Sequence, residues 1–150
     1  IRMAKNPGIL RILKKRPYPF SKSVVFICME TFEKLEVWRK SKNLAVRICT
    51  ALKGCRDYSL RDQIQRAAVS VPSNIAEGME RNGRAEYRNF LGIAKGSAGE
   101  LRTQLLILLE LGYVEETEGR EMLTESIRIS KMLNGLIRSL KITPHPNPAP

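Results

Sequence analysis

From residue 31 to about residue 142 apolar side chains recur every three or four positions, and no stretch alternates with period two long enough to make a strand. The pattern predicts four helices. The first runs from about Phe32 to Lys53 behind Thr31 as N-cap, with Val37, Trp38, Leu44, Ala45, Ile48 and Leu52 on one face. Leu35 and Val46 fall off that face, so this helix is apolar on more sides than a lone bundle requires. Gly54 ends it. The second opens at Ser59-Leu60-Arg61-Asp62, which reads as a capping box with Asp in place of Glu. Leu60, Ile64, Ala67, Ala68, Val71 and Ile75 form its stripe, and Arg66 lies opposite it. Gly78 ends this helix, or lets it continue a turn to Arg81.

Asn82-Gly83 marks a tight turn. The third helix then spans Arg84 to Leu111, with Tyr87, Leu91, Ala94, Ala98, Leu101, Leu105 and Leu109 inward. Ile93 and Ile107 fall on its outer face with Asn89, Gly96 and Glu100. After Gly112-Tyr113 a fourth helix, capped by Thr117, carries Met122, Ile129, Leu133, Leu136, Ile137 and Leu140 to Pro144. Three short connections make neighbours antiparallel. The expected fold is therefore all-α, an up-down-up-down four-helix bundle over residues 31–142. Residues 143–150 form a proline-rich tail.

One stretch breaks the local rules. Arg66-Ala67-Ala68-Val69-Ser70-Val71-Pro72-Ser73-Asn74-Ile75-Ala76-Glu77-Gly78 holds a proline inside a helical pattern. Proline there removes the bond to the Ala68 carbonyl, at a cost of about 3 kcal/mol. Two readings stand: a packing kink, or a binding feature made by Ser70, Ser73, Asn74 and Glu77. Lys95 to Gly99 breaks a rule too, because small residues crowd mid-helix where they admit a close neighbour.

These stretches carry a resemblance. Arg66 to Gly78, Phe90-Leu91-Gly92-Ile93-Ala94-Lys95-Gly96-Ser97-Ala98-Gly99-Glu100-Leu101, Leu111-Gly112-Tyr113 and the opening Phe32-Glu33-Lys34-Leu35-Glu36-Val37-Trp38 resemble one bacterial family. It is the four-helix bundle family encoded in intervening sequences of large-subunit (23S) ribosomal RNA genes. The resemblance covers about Phe32 to Lys141. It implies an up-down bundle, a homopentamer and a role in nucleic-acid binding; it implies no enzyme activity. A looser likeness to accessory subunits of retroelement reverse transcriptases points to similar partners.

Charge refines the picture. The chain of 150 residues has net charge +11. Residues 1–29 hold seven Lys or Arg and no acid, whereas the rest holds nineteen against fifteen acids, a net of +4. Residues 1–30 match nothing else in the chain and are read as a basic extension outside the fold. Their apolar run is too short for a signal peptide and no small-residue cleavage site follows. Met29, directly before the matching region, is the expected natural start; a nucleic-acid-binding arm is the other reading.

On helix three, Arg84, Arg88, Lys95 and Arg102 share a sector of about 40° along about 27 Å. A stripe of one sign suits a phosphate backbone. The bland reading is a set of inter-helix or inter-subunit salt bridges with acids of helix four such as Glu121 and Glu125. Arg66 is the further candidate. Leu35, Val46, Ile93 and Ile107 are the candidate oligomer contacts.

Catalysis finds no support. The only histidine, His145, lies in the proline tail, so no Cys-His or Ser-His pair exists within the bundle. Cys28, Cys49 and Cys55 lack a second metal-type pair, give no zinc site, and read as reduced thiols of a cytoplasmic protein. No apolar run approaches a membrane span. The expected function is a non-enzymatic oligomer, without cofactor or metal, that binds RNA or DNA through basic stripes. The alternative is a protein-protein adaptor, a ring subunit without nucleic-acid contact.

Overall fold

The computed structural model describes residues 31–140. A 3-10 turn, Phe32–Lys34, precedes α1 (Glu36–Ala51), which tightens into a second 3-10 turn, Leu52–Gly54. Then follow α2 (Tyr58–Glu80), α3 (Arg84–Glu110) and α4 (Glu116–Ser139). Both α1 and α3 pack on α2 and α4, which leaves α1 and α3 on the diagonal. Ser70 of α2 meets Ser97 of α3, Ala98 of α3 meets Ser126 of α4, and Lys40 and Arg47 of α1 meet Glu125 and Glu118 of α4. Gly78 of α2 meets Phe90 of α3. Numbers rise on one helix as they fall on its neighbour, so the fold is the antiparallel up-down-up-down four-helix bundle. The basic extension and the proline-rich tail lie outside the described residues.

The expected stripes meet in one core. Ile48, Leu52, Ile64, Ile75, Leu91, Leu105 and Leu133 are completely buried, each worth about 1.5–3 kcal/mol relative to exposure. On α3 the last inward residue is Leu108 rather than Leu109. Leu109 instead leans over Gly119 of α4, where a Cβ would stand 2.5 Å from its Cδ2.

Three helix starts differ from expectation. Thr31 caps only the 3-10 turn and makes no side-chain bond. α1 begins after Leu35, whose extended backbone turns its side chain onto the core beside Trp38. The cap of α2 is Asp57, which accepts from the Leu60 N–H at 3.0 Å, not Ser59. The cap of α4 is Glu115, which accepts from the Glu118 N–H at 2.9 Å, not Thr117. In both cases a carboxylate displaces a nearby hydroxyl, because a charged acceptor bonds more strongly and also meets the positive end of the helix dipole.

Ends are set by glycine chemistry in one place only. Gly112 has φ +66°, and the Tyr113 and Gly112 amides bond the Leu108 and Leu109 carbonyls, a Schellman close to α3. Gly78 does not end α2; the helix runs on to Glu80, and Gly78 is where α3 comes closest.

Candidate nucleic-acid interface

The stripe on α3 is exposed along its whole length: Arg84, Arg88, Lys95 and Arg102 all reach solvent. Among the described residues none of the four forms an ion pair or a side-chain hydrogen bond. The acids expected to neutralise them are engaged elsewhere. Glu121 and Glu118 hold Arg47 of α1 at 2.5 and 3.6 Å, and Glu125 holds Lys40 at 3.2 Å and Arg128 at 3.5 Å. The Glu121 hydrogen bond, with both acids' charge, raises the Arg47 guanidinium still further above its ordinary pKa. The pairs of Arg47 and Lys40 with α4 cross an open groove of about 840 Å³ between α1 and α4. Within one chain, therefore, inter-helix salt bridges do not neutralise the stripe among the described residues.

Arg66 is also exposed and, among the described residues, unpaired, but it stands apart. Ser97 bonds Ser70 of α2, and at about 100° per residue it points about 160° away from Lys95. The stripe thus faces away from α2, on the edge of α3 beside α4. α4 itself adds Lys131 and Arg138, both exposed and, among the described residues, unpaired. Reading one helix at a time missed them; their seven-residue spacing was the available signal.

The polar residues around Pro72 bond mostly within α2, and Ser70 ties that helix to α3. Ser70 and Ser97 hydroxyls lie 2.8 Å apart, and Asn74 Nδ2 donates to the Ser70 carbonyl at 2.8 Å and hydroxyl at 3.0 Å. Ser73 donates back to the Val69 carbonyl at 2.9 Å. Glu77 accepts from Arg81 at 2.6 Å, and that guanidinium also lies over the Phe90 ring. Pro72 is buried and α2 passes through it unbroken.

Of the four apolar candidates, Val46, Ile93 and Ile107 are 60%, 45% and 41% exposed. Leu35 is not free; it packs on the core of its own chain. Gly92, Gly96 and Gly99 have nothing within 4 Å of a notional Cβ, so among the described residues no helix comes close to these three glycines.

Among the described residues no cluster of three or more His, Cys, Asp or Glu is placed to hold a metal ion. No helix there is long and apolar enough to cross a membrane. Tyr87, pushed up to about 12 by burial, keeps its phenol protonated.

Residues 33–135 match the family model described as 23S rRNA-intervening sequence protein. The chain belongs to that family. A solved structure is similar over 68% of this chain and 98% of its own, at 29% identity and TM-score 0.64. It is described as a protein of unknown function from the S23 ribosomal protein family of Bacteroides thetaiotaomicron VPI-5482. No curated protein matches the chain. The family match starts at Glu33 and ends at Gly135, so it takes in α1 to α3 and most of α4, including the whole α3 stripe and Lys131.

Proposed function

We propose that this protein is a non-enzymatic, cytoplasmic, oligomeric bundle that binds RNA or DNA by its phosphates. One observation carries the reading: among the described residues the four cations of the α3 stripe are exposed and unpaired, while Glu118, Glu121 and Glu125 of α4 are occupied by α1. A row of uncompensated charge gains nothing for the fold and everything for a polyanion. Phosphate contacts of this kind position a nucleic acid without reading its bases.

Assembly supports the same reading. Val46 lies on α1 and Ile93 and Ile107 on α3, helices that are diagonal in the bundle. Two different apolar patches on opposite sides suit a head-to-tail contact, the kind that closes into a ring such as the pentamer the family resemblance implies. A ring repeats the stripe, and repeated weak contacts gain through avidity. The adaptor reading uses the same apolar patches for a protein partner and leaves the stripe idle.

The test compares the full chain with the variant Arg84→Gln, Arg88→Gln, Lys95→Gln, Arg102→Gln in mobility shifts at several salt concentrations. The basic extension contributes equally to both. Binding should fall for every sequence, and the slope of log affinity against log salt should shrink by about 0.9 per contact. Equal affinity and slope for the two proteins would rule the stripe out and favour the adaptor.

A further inference from the structure

Apart from the Glu116–Arg120 pair within the helix, α4 carries its charges on two edges with opposite logic. Glu118, Glu121 and Glu125 pair with α1 and so mark the edge facing that helix. Leu123, Ile127, Ser130 and Asn134 are half-buried on the other edge, and α3 is the remaining neighbour that can cover them. Lys131 and Arg138 lie just outside this second edge, seven residues and so about 10 Å apart on one side of the helix.

The contacts of Ala98 with Ser126 and of Leu109 with Gly119 set the register of α3 against α4. Continued along both helices, it brings Lys131 level with Lys95, and Arg138 level with Arg88. Along the α1 edge, cation faces acid and the pair closes. Along the α3 edge, cation stands level with cation, twice, and among the described residues none of the four is ion-paired. Like charges on the same side of the bundle repel and contribute nothing to it. An anion lying between them turns the repulsion into attraction.

We infer that the α3–α4 face, with Arg88, Lys95, Lys131 and Arg138 at its centre, is a site for a nucleic-acid duplex, held by the phosphates flanking one narrow groove. This rests on the reading of the α3 stripe as phosphate-binding and extends it to a second helix. A single strand presents one row of phosphates, whereas the face presents two rows of cations. Grooves of suitable width occur in both duplex types: the minor groove of B-DNA is about 6 Å wide, and the major groove of A-form RNA is narrow. Single-strand sites also rely on exposed aromatic rings. α4 has no aromatic residue, and those of α3, Tyr87 and Phe90, are buried and half-buried.

The experiment measures fluorescence anisotropy of the full chain with 20-base-pair RNA and DNA duplexes and with their separate strands, across a salt series. Three double variants are compared: Lys131→Gln with Arg138→Gln, Arg88→Gln with Lys95→Gln, and, as a control away from the face, Lys53→Gln with Arg56→Gln. At 0.15 M salt the first two should each weaken duplex binding roughly 30-fold and flatten the salt slope by about 1.8, as two lost phosphate contacts require. The control should show neither change, and unchanged circular-dichroism melts confirm the folds. If the α4 pair behaves like the control while the α3 pair loses binding, the two-helix site is overturned and the stripe stands. If neither pair loses binding, both fall. Single strands binding as tightly as duplexes would overturn the duplex assignment.

Discussion

Gly78 of α2 lies so close to Phe90 of α3 that a Cβ on the glycine would stand 2.6 Å from the Phe90 Cβ. Both atoms sit near the backbone, so neither helix can yield without moving bodily. Gly78→Ala should therefore lower stability by about 1–3 kcal/mol through overpacking, although alanine favours helix by about 1 kcal/mol. Gly96→Ala, with nothing within 4 Å, should do the reverse and stabilise the isolated subunit by about 1 kcal/mol. Urea denaturation of the two variants checks the contrast.

Pro72→Ala restores an N–H to face the Ala68 carbonyl and relieves about 3 kcal/mol of helix penalty. It also removes buried ring atoms at a cost of about 1–2 kcal/mol. The first term is the larger, so the variant should be more stable by about 1 kcal/mol. A loss of stability in the same denaturation assay would show that the ring's packing outweighs the missing bond.

Ile93→Asp combined with Ile107→Asp should leave the helices intact, since both side chains are largely outside the core. If a second copy covers them, the mass from light scattering should fall while the far-ultraviolet circular dichroism stays unchanged. An unchanged mass would remove this face from the assembly.

Backbone hydrogen bonds from Glu118 and then Thr117 hold the Glu115 carboxyl below its ordinary value of 4.5. The folded value lies below the unfolded one. The contribution to stability is therefore complete above about pH 4.5 and lost as pH falls through the lowered value. Glu115→Gln should melt lower than the parent at pH 7 and close to it near pH 2, with α4 the element that frays. Thermal melts of both proteins across that range would show it.

Much of this protein is legible without its fold. The four stripes are local periodicities, written residue by residue, so Ile48, Ile64, Leu91 and Ile129 could be assigned to a core before any helix met another. The Arg88, Lys95, Arg102 spacing is local in the same sense. Helix starts were harder, because Asp57 competes with Ser59 and Glu115 with Thr117. Two candidate caps a residue or two apart differ by the free energy of one hydrogen bond. What only the tertiary structure decided is which charges are left over. Glu121 and Glu125 were equally available to α1 and α3 along the chain, and the packing order of the helices gave them to Arg47 and Lys40. The same packing drew Leu35 onto its own core and brought Lys131 level with Lys95. Pairing depends on distances across helices, and those distances exist only once the bundle has closed.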